Sequence, residues 1–227
     1  MSGPRKRIQT AHTGAGEIVL RQRTGAAGDL HYEVIVNGAF LFSTYNRVSE
    51  RALARLAIEG NLHRDDSLSV LIGGLGTGYT LQAALEYDKV RQVTVVERES
   101  TVVDWARTYF SSYNENALDD PRVSIVVEDF LAFLSSSNCT FDAVCIDLDN
   151  GPHWTAWEGN SKLYEEQGIE ELRQLLAPSG CLTVWSSGRS EALEKALSSV
   201  FGAFSLHLIR PVEMGVEIEY FVYRSPI

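Results

Sequence analysis

An α/β fold carrying a mostly parallel, seven-stranded sheet and a small N-terminal β-hairpin unit is what this sequence predicts. Three observations lead there. From Ser69 to Phe201, short apolar strand-like runs alternate with helix-spaced runs. Such alternation with short loops places parallel strands beneath helices on both faces, with right-handed crossovers. One strand-to-helix joint is glycine-rich, Gly73-Gly74-Leu75-Gly76-Thr77-Gly78. The chain then runs through two strand-like segments, Phe204–Ile209 and Val216–Tyr223, joined by a turn around Pro211–Gly215 with no helix between. That hairpin makes the last strand antiparallel to its neighbour.

Taken in order, residues 1–16 are polar, contain the basic cluster Arg5-Lys6-Arg7 and lack hydrophobic periodicity, so a disordered leader is expected. Residues 17–60 form the hairpin unit and a linking helix. Ile18-Val19-Leu20 and Tyr32–Val36 read as strands on either side of a turn region, Gly25 to Gly28. Asn37-Gly38 then turns tightly into Phe40-Leu41-Phe42. A unit this small does not fold alone. Val48, Leu53, Leu56 and Ala57 follow at helical spacing, and Gly60 stops the helix. Residues 61–227 form the main domain. Its strands are Ser69–Ile72, Gln92–Val96, Val123–Val127, Ala143–Ile146 and Cys181–Trp185. Its helices include Thr101–Phe110, Phe130–Leu134, Leu163–Leu176 and Glu191–Phe201, with Pro178-Ser179-Gly180 ending the third of these. With the terminal hairpin added, this is the Rossmann-like topology of class I methyltransferases rather than that of a nicotinamide dehydrogenase.

Composition narrows the function. The 30 acidic and 20 basic residues give a net charge of −10, which argues against nucleic acid as a partner. No apolar run approaches the ~20 residues that span a bilayer, and no signal-peptide core is present, so no membrane partner and a cytoplasmic location are expected. Cys139, Cys145 and Cys181 lack metal-ligand spacing. Cys145 and Cys181 lie in strand-like runs, as buried thiols do, and no metal is expected.

In an open parallel sheet, ligands bind beyond the carboxyl ends of the strands. After the first strand come Gly74, Gly76 and Gly78, whose backbone a ligand can approach closely, and then Tyr79. The second strand ends in Glu97, 19 residues after Gly78, placed to accept hydrogen bonds from a ribose diol. After the third come Asp129, an acceptor for an adenine amino group or a helix N-cap, and Phe130, an aromatic cover. Together these describe a pocket for an adenosine-containing cofactor. After the fourth strand, Asp147 to Trp157 reads DLDNGPHWTAW. Paired carboxylates there hold an amine and accept its proton, and tryptophan faces attract cations by roughly 0.5–2 kcal/mol. His153 is read as an ordinary loop histidine.

These residues resemble the spermidine synthase family, the polyamine aminopropyltransferases, over about Val34 to Trp185. The glycine loop, Glu97, Asp120 to Val123, Glu128-Asp129-Phe130 and the Asp147 loop occur in the family's order. The resemblance implies a small N-terminal β unit, a Rossmann-like domain, a homodimer and an S-adenosyl sulfonium donor. It puts Asp147 at the catalytic aspartate and Glu97 and Asp129 at the ribose- and adenine-binding acids. Departures accompany it. The family's loop reads G-G-G-D-G-G, and its aspartate binds the donor's aminopropyl ammonium; here the loop has no acid. Leu41 stands for a donor-binding glutamine, and Glu50-Arg51 for a diamine-binding Tyr-His pair.

Loss of the loop acid removes a partner for decarboxylated S-adenosylmethionine and a repulsion against the intact cofactor. The expected function is therefore an S-adenosylmethionine-dependent methyltransferase acting on a small amine- or guanidine-bearing molecule. Asp147 takes the proton, Tyr79 helps seat the cofactor's methionine end, Asp149 and Asn150 hold the substrate, and Trp154 or Trp157 walls the pocket. Two alternatives stand beside it: an aminopropyltransferase using decarboxylated S-adenosylmethionine, and a cofactor-binding protein without turnover.

Overall fold

The computed structural model of the 227-residue chain describes residues 5–14, 16–25, 28–45, 47–62, 66–213 and 215–226, the side chain at 158 excepted. Strands β1 (Arg5–Thr13), β2 (Gly16–Thr24), β3 (Leu30–Val36) and β4 (Ala39–Ser43) form one antiparallel sheet in sequence order. Between β3 and β4, Asn37 and Gly38 both take positive φ, 50° and 83°, as a two-residue turn that matches strand twist requires. Of the turn expected at 25–28, Ala26 and Ala27 lie outside the described residues, as Met214 does in the turn expected at 211–215.

The expectation of a disordered leader fails over Arg5–Thr13, which pairs with β2 from Arg5↔Arg23 to Thr13↔Gly16. A strand held by its backbone needs little apolar content, and an edge rich in Lys and Arg discourages further pairing. Two side-chain contacts add to the hold. Buried Trp105 donates its indole N–H to Gln9 Oε1 at 2.6 Å, and Arg5 lies 3.5 Å from buried Glu33.

Helix α1 (Val48–Glu59) ends at Gly60 and buries Leu53, Ala54, Ala57 and Ile58. Beyond it, β5 (Leu68–Gly73), α2 (Tyr79–Leu85), β6 (Val90–Glu97), α3 (Ser100–Thr108), β7 (Val123–Val127), α4 (Phe130–Ser136) and β8 (Phe141–Ile146) alternate. They are followed by α5 (Glu166–Gln174), β9 (Leu176–Ser186), α6 (Glu191–Phe201) and β10 (Ser205–Ile209). A two-stranded flap, β11 (Val212–Glu213) with β12 (Val216–Glu217), and β13 (Tyr220–Pro226) complete the order. The main sheet runs β10-β13-β9-β8-β5-β6-β7, and β13 is antiparallel to both β9 and β10.

Two cores lie on opposite faces of this sheet. Val70 and Ile72 of β5, with Ala143 and Cys145 of β8, join α1 and Ile18, Leu20, Val34 and Val36 of the N-terminal sheet. Leu71, Val144 and Ile146 point the other way, to Ile169, Leu172, Leu193 and Leu197 of α5 and α6. Strands buried on both faces are why these segments read as continuous apolar runs. Cys145 and Cys181 are buried and unbridged.

The helix expected over Leu163–Leu176 divides into a 3-10 turn, Glu158–Tyr164, and α5. The two meet so closely that a Cβ on Gly168 would lie 2.3 Å from the Lys162 carbonyl oxygen. Pro178-Ser179-Gly180 is an excursion inside β9 rather than a stop before it. Leu176 pairs with Phe141 and Cys181 with Ala143, and Ser179 takes φ 64°.

Candidate active site

The strand order reverses direction at β5, which has β6 on one side and β8 on the other. A crevice opens outside the carboxyl ends of strands at such a point. Here it is a cavity of about 430 Å³, a size typical of small-molecule sites. Its wall brings together Gly74, Gly76, Tyr79, Glu97, Asp129, Phe130, Asp147, Asp149, Asn150, Trp154 and Trp157; Gly78 is not part of it.

The three loop glycines serve different purposes. Gly74 takes φ 90°, and a Cβ there would stand 2.1 Å from the Asp147 carbonyl oxygen, so this glycine lets β8's exit loop pass. Gly78, at φ 93°, is the N-cap of α2. Only at Gly76 (φ 52°) would a Cβ meet nothing within 4 Å, and only there does the missing side chain leave open space in the cavity. Tyr79 donates its hydroxyl to the Thr44 carbonyl at 3.3 Å, tying α2 to the N-terminal sheet.

Beside the loop, Glu97 is buried, and burial raises its pKa despite backbone N–H donors. Leu75 N–H donates to Oε2 at 3.0 Å and Glu99 N–H to Oε1 at 2.9 Å, fixing the carboxylate at the wall. Asp129 caps α4 through Leu131 and Ala132 N–H while Arg98 Nη1 reaches its other oxygen at 2.7 Å. The N-cap role and the place on the wall coexist. Arg98, not anticipated from the sequence, also sits 5.6 Å from the Trp157 ring, which groups that tryptophan with Glu97 and Asp129.

On the far side, the side-chain hydroxyl of Thr80 donates to Asp147 Oδ2 at 2.9 Å. Desolvation pushes the Asp147 carboxyl up to about 6, and the Thr80 hydrogen bond opposes that rise. Asp149 holds the loop together: it accepts from Ala156 N–H at 2.7 Å, Asn160 at 2.9 Å and the Tyr164 hydroxyl at 3.3 Å. Asn150 donates to the Phe40 carbonyl at 3.1 Å and fastens the loop to the N-terminal hairpin. Trp154 stands partly exposed, and His153 is engaged with the Arg189 carbonyl.

The wall holds a second group: Glu213, Tyr220 and Trp185, which sequence reasoning missed, and Glu50, noted there only as standing, with Arg51, for a diamine-binding pair. Glu50 lies in the first turn of α1, Glu213 on β11, and Tyr220 and Trp185 stack at 5.1 Å where β13 meets β9. Tyr220 donates to Glu213 at 2.9 Å. Burial, and after it Asp147, push Glu50 up to about 8. Only the folded topology brings α1 and β11 to this point; no local motif marks Glu213. Arg51, next to Glu50, pairs instead with Gln82 and Glu86 on α2. The cavity wall therefore carries, among the described residues, six carboxylates (Glu50, Glu97, Asp129, Asp147, Asp149, Glu213) and one cation, Arg98, already paired with Asp129. Among the described residues, no His, Cys, Asp and Glu cluster is arranged to hold a metal ion, and no helix is long and apolar enough to cross a membrane.

Known proteins agree with this geometry. The sequence model of the spermine/spermidine synthase domain matches residues 56–202. Polyamine aminopropyltransferase 1 of Streptomyces coelicolor is 30% identical over 182 residues, 79% of this chain and 33% of that protein. Polyamine aminopropyltransferase 2 of Pseudomonas aeruginosa is 33% identical over 151 residues, 62% of this chain and 41% of that protein. The chain thus spans less than half the length of these two relatives. Among solved structures, a spermidine synthase in complex with the transition state analogue AdoDATO superposes with a TM-score of 0.81 at 18% identity, covering 97% of this chain and 73% of that one. The spermidine synthase of Thermotoga maritima gives 0.79 at 17%, covering 97% and 72%. These matches overturn the expectation of an S-adenosylmethionine-dependent methyltransferase. That reading rested on the missing loop acid together with the departures at Leu41 and Glu50-Arg51, and the wall supplies acids from elsewhere.

Proposed function

Because the chain belongs to the spermine/spermidine synthase family, we propose that it is a polyamine aminopropyltransferase, taking decarboxylated S-adenosylmethionine as donor and a small diamine or polyamine as acceptor. The observation that carries this reading is the charge of the cavity: among the described residues, six carboxylates against one paired arginine. A donor that ends in an ammonium and an acceptor that is itself a cation both suit that field. A carboxylate-bearing donor would be repelled by it. The open space at Gly76 and the aromatic walls at Phe130 and Trp157 leave room for the nucleoside.

The donor supplies an electrophilic methylene beside its sulfonium; the acceptor nitrogen bonds to that carbon as the C–S bond breaks and its electron pair passes to sulfur. The chain's part is to orient, desolvate and take a proton. Glu97 is held by two backbone donors in place to receive the ribose hydroxyls, with Asp129 and Phe130 beside the base. Asp147, turned by Thr80, accepts the proton that the attacking nitrogen sheds. General-base help of this kind contributes roughly 10²–10⁴-fold. Trp185 and Tyr220 flank the acceptor's carbon chain, and Glu213 faces its far ammonium.

Incubating the full chain with decarboxylated S-adenosylmethionine and diamines of graded length should release 5′-methylthioadenosine together with an aminopropylated amine. Absence of that release with every diamine, while the nucleoside still binds, would overturn the reading.

A further inference from the structure

Accepting the aminopropyltransferase reading, we infer that Glu50 is the residue that anchors the donor's terminal ammonium, reaching from the first turn of α1 into the space that Gly76 leaves open. Several observations converge on this residue. Glu50 and Gly76 line the same cavity. One carboxylate oxygen of Glu50 is held by Ser49 Oγ at 2.7 Å, which sets the side chain's direction. Thr80 Oγ1 contacts both the Glu50 carbonyl, at 3.4 Å, and Asp147 Oδ2, at 2.9 Å. The start of α1 therefore sits over the turn from the glycine loop into α2, beside the reacting carboxylate. Burial, and after it the charge of Glu50, raise the pKa of Tyr79, the first residue after that loop.

A carboxylate placed there is costly unless it meets a cation. Glu50 faces Asp147 and Glu213, and burial with that repulsion raises its pKa to about 8. Its helical neighbour Arg51 offers no relief, being committed to Glu86 at 2.5 Å and 2.7 Å. A primary ammonium supplies the missing charge. The diamine also carries ammonium groups, but Glu213 is engaged by Tyr220 of β13, whereas the start of α1 at Glu50 touches the turn after the glycine loop through Thr80. The loop's lost acid and the acid on α1 are thus two routes to one contact.

Calorimetry on the full chain tests this with two nucleosides: decarboxylated S-adenosylmethionine, and 5′-methylthioadenosine, which lacks the aminopropyl tail. Glu50→Gln should weaken the first about 10- to 100-fold, the range for losing a hydrogen bond to a charged group, and leave the second within about twofold. In steady state the donor's KM should rise while the diamine's KM holds. Adding Gly76→Asp to Glu50→Gln should restore donor affinity, since aspartate tolerates a left-handed backbone. Parallel weakening of both nucleosides, an unchanged donor affinity, or a rise confined to the diamine's KM would overturn the inference. A wild-type chain that binds 5′-methylthioadenosine but neither binds nor turns over the donor would sink the aminopropyltransferase reading instead.

Discussion

In the proposed reaction, Asp147 meets two opposed requirements. It must be desolvated enough to grip an amine, and ionised enough at neutral pH to take that amine's proton. Burial raises its pKa to about 6, and the Thr80 hydroxyl limits the rise. Asp147→Asn should therefore keep nucleoside affinity and lose about 10²- to 10⁴-fold in turnover, read as methylthioadenosine release under saturating substrates. Thr80→Val should lower kcat and move the acidic limb of its pH profile upward, because the hydrogen bond that favours the carboxylate is gone. Stability follows the same two acids with the opposite sense to most carboxylates. Asp147 and Glu50 bind protons more tightly folded than unfolded, so their protonated forms favour the native state, fully so below about pH 4. That advantage is lost as pH rises through about 6 and about 8. In ligand-free protein, Glu50→Gln should raise Tm at pH 8.5 and change it little at pH 5; an equal shift at both would contradict the assignment of the strain to this charge.

At the scale of elements, one contact governs how the site is assembled: the exit loop of β8 crosses the glycine loop at Gly74. A methyl group there would fall 2.1 Å from the Asp147 carbonyl on a backbone at φ 90°. Gly74→Ala should cost about 1–3 kcal/mol in chemical denaturation and cut turnover by displacing Asp147. Gln9→Ala should cost a similar amount, since it strands the buried Trp105 N–H. These elements also show how far the sequence could be read. Glycine loop, Glu97, Asp129 and Asp147 were legible because each follows a strand end, where chain order and spatial order coincide. Glu213 was not, and Glu50 stood out only as a departure from a diamine-binding pair, because α1 and β11 reach the cavity through packing that no local pattern records. β1 was hidden for another reason: an edge strand held by backbone hydrogen bonds needs no alternation of its own. The break between the 3-10 turn and α5 depends on Gly168 meeting the Lys162 carbonyl, a contact invisible to helical periodicity. Family resemblance was read correctly, but the reaction was misjudged by weighing departures at single positions without the wall around them.

Across the whole molecule, the cavity is a meeting of distant parts: β5 and β6 lead into Gly76 and Glu97, α1 and the exit of β8 bring Glu50 and Asp147, and β9 and β13 bring Trp185 and Tyr220. Its acidity matches a chain of net charge −10 and draws cations from solution. Raising ionic strength should therefore reduce kcat/KM for a diamine more than for a monoamine, a comparison steady-state kinetics can make directly. The arrangement of β13 carries a further consequence for how the protein comes into being. This strand lies between β9 and β10 yet is translated after both. While the ribosome is still adding residues 220–226, β9 and β10 have no bridge, and Trp185 lacks the ring of Tyr220. The nascent polypeptide must keep a berth vacant in its own architecture, and the chamber gains its final wall only when that late segment slides home.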